Sequence, residues 1–424
     1  MPFVVPTPHQ CLHGFRCNGL QRMMQQTFAG NGAGMVSPVL FRQCFRSLGM
    51  WILRCLAMAL VWVSLGARAE VGVTDQEVVI GQFAPFSGPA EQLGKRLHAG
   101  IQAYIQSVND QGGVYGRRVR LVTRDDGYEP DRAAAAAKGL IEQDNVFALV
   151  GSVGTPTGLA AVPVLTSAKV PLVGMFTGAQ GLREPFNRYV FHLRASYFDE
   201  TERIVQYLTT LGVKKIAVFY QNDAYGKAGL EGVARALEKR QLKPAGTGTV
   251  ERNSTDVAAA LAAIMAAQPE AVVQVGAYKA CAEFIRQSRA KGYGGQFFNV
   301  SFVGSKALAD ELGAAGMGVV VSQVVPFPYA PSSAVVREYQ QRMKEAGDAE
   351  FDFSSMEGFL MGKVFVEGLR RAGKNLTREA FIAGLESMNE VNLGGFEINY
   401  SAKNHSGSRF TDLSIIGAGG RFMH

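Results

Sequence analysis

From residue 73 onward the chain alternates short apolar runs with longer amphipathic stretches, the pattern of strands and helices in turn. Val78–Phe83 reads as the first strand and Gly94–Asn109 as the helix after it, stopped by Gly112-Gly113. Val119–Thr123 is the next strand and runs into Asp125-Asp126, after which Pro130 opens a helix to Glu142. Phe147–Val150 is apolar throughout, which suits a strand buried on both faces of a parallel sheet. It leads into Gly151-Ser152-Val153-Gly154-Thr155-Pro156, where Thr155 reads as a helix N-cap and Pro156 as the first helical residue. The helix continues to Ala168, and Val170–Val173 follows with the turn Gly174-Met175-Phe176-Thr177-Gly178.

After Tyr189–Arg194 the cycle restarts. Lys215–Tyr220, Thr247–Val250, Ala271–Val275, Phe297–Val300 and Val319–Val325 read as strands, with helices at Asp199–Leu211, 224–240, Val257–Ala267 and 278–291 between them. The alternation demands parallel sheets covered by helices, and the restart demands two of them. From Ser332 the pattern is mainly helical: Ser332–Ala346, Phe353–Ala372 and Thr377–Met388, then short strands at Phe396–Tyr400 and Leu413–Ile416. Tyr189–Ala195 and Gln323–Pro328 are the expected crossings between two Rossmann-like lobes. The expected lobes are 73–190 plus about 327–404, and 196–324 plus about 405–424. A cleft between such sheets faces strand ends from both sides, where open α/β sheets bind ligands.

Composition changes the picture at the amino end. Residues 1–69 hold six arginines, four of the five cysteines and no acidic residue. The apolar run Leu48–Leu65 and the small residues of Ala67-Arg68-Ala69 read as a secretory signal cut after Ala69, which places the mature chain in the periplasm. The residues before Met35 or Met50 look like an over-extended start. Removing six arginines leaves 37 basic against 36 acidic residues, so a nucleic-acid partner loses its support. The remaining cysteine, Cys281, is expected to be buried and inert.

Catalytic chemistry is hard to assemble. No histidine adjoins a nucleophile, no group has metal-ligand spacing, and no cofactor fingerprint is present, so neither enzyme, metal nor cofactor is expected. Asp125-Asp126 reads as a turn cap. What the strand ends do carry is hydroxyls and aromatics: Ser152, Thr155, Phe176 and Thr177 on one lobe, Tyr225, Tyr278 and Ser301 on the other. Such a cleft suits a small polar ligand held between apolar walls.

The segments VVIGQFAPFSGPAEQLG, GGVYGRRVRLVTRDD, LVGSVGTPT, IAVFYQNDAYGKAG and VVQVGAYKACAEFIRQSRAKG resemble the type I periplasmic solute-binding proteins of the branched-chain amino acid ABC-transporter family, over nearly all of 73–424. The resemblance implies two lobes joined by three crossings, closing on a ligand like a hinge trap. It also implies a monomer that serves a membrane permease and ATPase. By the same resemblance Ser152 and Thr155 match the turn that holds a ligand carboxylate, and Phe176-Thr177-Gly178 matches the second turn of that lobe. Tyr225 and Tyr278 match aromatics of the closing lobe, and Leu93 stands where a tryptophan often covers the ligand. Two departures matter. Ser301 stands where amino-acid binders carry an acid for the ligand ammonium, and Tyr128 and Gly154 replace a disulfide. Asp199, Asp223 and Glu357 are the alternative sources of that charge; without one, the ligand is a carboxylate lacking the α-amino group. A ligand sensor for a membrane receptor would share every one of these residues, and an enzyme on the same architecture is the third reading.

Overall fold

The computed structural model describes residues 70–424. The expected leader and its cleavage point lie outside the described residues. A five-stranded parallel sheet has the order β2-β1-β3-β4-β5, built from β1 (Glu77–Ala84), β2 (Arg118–Asp125), β3 (Ala148–Val153), β4 (Leu172–Phe176) and β5 (Val190–Phe191). β3 is buried at every position, as its unbroken apolar run requires. Helices α1 (Glu91–Asp110), α2 (Pro130–Glu142) and α3 (Thr155–Ser167) connect these strands.

The second sheet has seven strands in the order β14-β13-β10-β9-β8-β6-β7. Its parallel part is β6 (Ile216–Gln221), β7 (Thr247–Val250), β8 (Ala271–Val275), β9 (Gln296–Asn299) and β10 (Val320–Gln323). Its helices are α4 (Tyr197–Thr210), α5 (Ala224–Glu238), α6 (Ala258–Ala266), α7 (Tyr278–Ala290) and α8 (Ser305–Leu312). Three late helices follow, α9 (Ala334–Glu345), α10 (Phe353–Ala372) and α11 (Arg378–Glu386). A ribbon, β11 (Val391–Asn392) with β12 (Glu397–Ile398), precedes β13 (Asp412–Ile416) and β14 (Phe422–Met423), which join the second sheet antiparallel.

The late helices return to the first sheet's lobe. α10 lies on α1 at a distance only glycine allows: a Cβ on Gly100 would overlap the Ser355 carbonyl, and one on Gly358 the Leu97 carbonyl. The chain therefore passes between lobes after β5, after β10 and before β13. The first and third passages are tied together, since His192 N–H donates to His405 O at 2.8 Å and Gly407 N–H to His192 O at 2.8 Å. Short, mutually bonded crossings of this kind can act as hinges. Among the described residues no helix is long and apolar enough to cross a membrane, and no cluster of side chains could hold a metal.

Candidate functional site

The turns at the carboxyl ends of β3 and β4 form one wall. Gly154, at φ +104°, is the N-cap of α3, with no side-chain cap. Thr155 is the first helical residue, so the helix starts one position earlier than the sequence suggests, and the Thr155 hydroxyl turns inward. The cause is the neighbouring turn: the Thr155 and Thr177 hydroxyls share a hydrogen bond of 2.6 Å. Thr177 also lies 3.3 Å from the Tyr197 hydroxyl. Tyr128 packs where a Cβ on Gly154 would stand, so the two residues that replace a disulfide are in contact. Ser152, on β3, is buried and its Oγ has no partner.

Aromatic rings fill the space between the lobes. Phe302, just after β9, lies 5.7 Å from Phe176 and 5.8 Å from Tyr128 on the first lobe, centroid to centroid. On its own side Phe302 is 4.4 Å from Tyr225, which is 5.5 Å from Tyr197. The Arg194 guanidinium lies over Phe176, 4.1 Å from the ring centre. Arg194 and Glu357 are both fully buried and meet through two bonds, Nε to Oε1 at 2.8 Å and Nη2 to Oε2 at 2.6 Å. Burial opposes the guanidinium charge, but Glu357 outweighs it and holds the Arg194 pKa above its ordinary value. Arg194 Nη1 has no partner.

Ser301 turns elsewhere. Its N–H and Oγ donate to the Glu200 carboxylate at 2.8 and 3.0 Å, and the Ser322 hydroxyl donates to the same group. Burial pushes the Glu200 pKa up, against the Arg194 charge and these donors. Asp199 is spent in a capping box with Ser196, and Asp223 caps α5 and contacts Gln221 and Arg252. Glu357 is engaged by Arg194. None of the three carboxylates expected as alternative ammonium partners is free.

The lobes touch in three further places. Gln221 Nε2 donates to the Tyr128 hydroxyl at 3.2 Å. Arg252 pairs with Glu129 at 2.9 Å, and Asn253 donates to Glu129 and to Gly127 O. Lys306 pairs with Glu350 at 3.0 Å, and Leu93 packs on Gly304. Tyr278 stands in a separate groove of about 460 Å³ lined by Glu91, Gln92 and Arg96 of one lobe and Lys279 and Lys306 of the other. The structure thus gathers Thr155, Phe176, Thr177 and Tyr225, places Leu93 and Tyr278 on other stretches of the same seam, and turns Ser301 toward Glu200. Sequence reasoning missed Glu200, Arg194, Tyr197 and Phe302 as site residues. Glu200 was within reach, because Tyr197, Glu200, Thr201, Ile204, Val205 and Leu208 are spaced as one buried helical face.

Two α/β lobes meeting strand end to strand end, with paired turns on one side and aromatics on the other, are the architecture against which the chain matches known proteins. Residues 77–414 fit the family described as periplasmic binding protein. The chain belongs to that family. Its fold, of type I, superposes on a possible leucine/isoleucine/valine-binding protein from Rhodopirellula baltica with a TM-score of 0.79 at 32% identity, over 84% of this chain and 98% of that one. A substrate-binding periplasmic protein from Ralstonia solanacearum gives 0.77 at 30% identity, over 81% and 99%. In sequence, this periplasmic binding protein is 26% identical to an amino acid binding protein of Pseudomonas aeruginosa over 56% of its own length. It is 22% identical to the leucine-specific-binding protein of Salmonella typhimurium over 65%. The matched segments span 64% and 73% of those two relatives.

Proposed function

We propose that this binding protein is the exported solute-binding component of an ABC uptake transporter, capturing a branched-chain or hydrophobic amino acid, or a related small carboxylate, by hinge closure. The observation that carries the reading is the pair of turns at Thr155 and Thr177, backed by a helix end and faced by Tyr225 and Phe302 of the other lobe. A helix N-terminus and hydroxyls able to donate favour a carboxylate, and aromatic rings favour an apolar body. Leu93, Ser152, Thr155, Phe176, Thr177, Tyr225, Tyr278 and Ser301 are the proposed ligand-side residues, with Ser301 acting through Glu200. The names of the relatives support an amino-acid-sized ligand and a periplasmic location; a permease and ATPase are the partners that an ABC uptake role requires. The lobe limits at 73–190 plus 327–404 and 196–324 plus 405–424 belong to the same proposal.

A thermal-shift panel of amino acids, aromatic acids and aliphatic acids tests it. A ligand present at a hundred times its dissociation constant adds about 2.7 kcal/mol to stability. A panel without any stabilising member contradicts the reading.

A further inference from the structure

The passages between the lobes carry a cluster of charge that the cleft does not use. A cavity of about 280 Å³ lies between the first and third passages, and three cations line it: Arg183 from the loop after β4, and Lys403 and Arg409 from the third passage. None of Tyr128, Phe176, Tyr225 and Phe302 lines it, so it is separate from the aromatic cleft. Arg183 bonds both passages. Its Nη2 donates to Arg194 O at 2.9 Å and to Ala195 O at 3.3 Å, and its Nη1 to the Ser406 hydroxyl at 2.9 Å. All three acceptors are neutral. Among the described residues none of the three cations forms an ion pair, and Lys403 and Arg409 are exposed. Two acids share the lining: Glu184 is exposed, and Asp199 is spent in its capping box with Ser196.

A guanidinium drawn out of water without a counter-charge is costly. Burial lowers the Arg183 pKa to about 10; the Asp199 charge offsets this only in part, and the Arg194 charge adds to it. Arg96, paired with Asp348 and Asp352, and Arg194, paired with Glu357, are held above their ordinary value instead. The missing element at Arg183 is an anion, and the cavity beside it has room for one.

We propose that this hinge cavity binds a small multivalent oxyanion of the phosphate class, held by the field of Arg183 and by the side chains of Lys403 and Arg409. A divalent ion gains more from three positive groups than a monovalent one, which sets phosphate and sulfate apart from a simple carboxylate. Ser196, at the start of α4, also lines the cavity, so the anion sits where both lobes meet the passages. The site goes beyond the proposed capture of a solute, and each stands or falls separately.

Titration calorimetry with inorganic phosphate, sulfate and acetate tests the proposal, in about 0.15 M sodium chloride so that loosely held ions are screened. Phosphate is expected to bind one to one, sulfate to compete with it, and acetate to bind at least tenfold more weakly. The double variant Lys403→Ala with Arg409→Ala removes two exposed side chains and is expected to weaken phosphate binding at least tenfold. Arg183→Met is expected to weaken it at least fivefold, and the double variant carries the test alone if Arg183→Met does not fold. Absence of binding at millimolar phosphate overturns the inference. So does acetate binding as tightly as phosphate, or phosphate held equally well by the double variant.

Discussion

Leu93 of the first lobe lies so close to Gly304 of the second that a Cβ on Gly304 would overlap its Cδ2. Gly304 also sits at φ +79°, where any other residue is strained. Contact of the lobes at this point therefore depends on a missing side chain. Gly304→Ala is expected to prop the lobes apart and weaken ligand binding at least tenfold, about 1.4 kcal/mol. Leu93→Ala in the same chain should recover part of the loss, and calorimetry on the two single variants and the double variant measures the coupling. Purely additive losses would show that the contact does not govern closure.

Thr155 is not the cap that its place before Pro156 suggests, so its removal separates binding from stability. Thr155→Ala loses one buried hydrogen bond to Thr177 and is expected to cost about 1 kcal/mol of stability. If the hydroxyl also meets a ligand carboxylate, affinity falls roughly ten- to a hundredfold, as for hydrogen bonds to a charged group. Thermal unfolding and calorimetry on the same preparation give the two numbers. Unchanged affinity would move the ligand away from this turn.

The two adjacent acids after β2 behave oppositely. Against burial, which acts the other way, the Ser87 hydroxyl and the N–H groups of Phe86 and Gly127 hold Asp125 at about 2. Burial pushes Asp126 up to about 7, with the Asp125 charge adding to it and the Tyr128 N–H opposing it. Between its ordinary value near 3.8 and about 7, the folded protein holds a proton on Asp126 that the unfolded chain has lost. Stability therefore falls as pH rises through that window and levels off above it. Asp126→Asn should stabilise the protein by about 1–3 kcal/mol at pH 8 and hardly at pH 4. Urea unfolding at the two pH values checks this. An equal effect at both would mean that the carboxyl titrates normally.

Arg194 and Glu357 form a pair removed from water on all sides. Glu357→Gln leaves the guanidinium charge buried without its partner and is expected to cost about 3–5 kcal/mol. By contrast, Arg252 and Glu129 are partly exposed across the seam, so Glu129→Gln should change stability by less than about 1 kcal/mol. Denaturant titration of both variants tests the contrast, and similar losses would contradict it.

The alternation of the chain was enough to read two parallel sheets and most of their helices, because the buried strands are mostly apolar runs, as in Val78–Phe83 and Ala271–Val275, each broken by a single glutamine. Two-residue strands left no such run, so β11 and β14 were invisible and β5 was legible only as part of the Tyr189–Ala195 crossing; the two-turn helix at Ser305–Leu312 was invisible too. The turn hydroxyls were legible from their places at strand ends. The pairing of Thr155 with Thr177 was not, since it depends on how two turns meet across 22 residues. Arg194 and Glu357 are 163 residues apart, and only the return of α10 to the first lobe joins them. Ser301 was read as a substitute for an acid, while the acid it serves, Glu200, lay one position beyond the Asp199 that was singled out.

The claim on which the rest depends is that the two lobes close on a ligand, and small-angle scattering tests it most directly. The protein is measured alone and at saturation with a ligand proven by calorimetry. Hinge closure predicts a smaller radius of gyration with ligand, and a bound-state curve that matches the seam contacts of Arg252 with Glu129 and Lys306 with Glu350. Identical curves at proven saturation would contradict closure as the mode of capture.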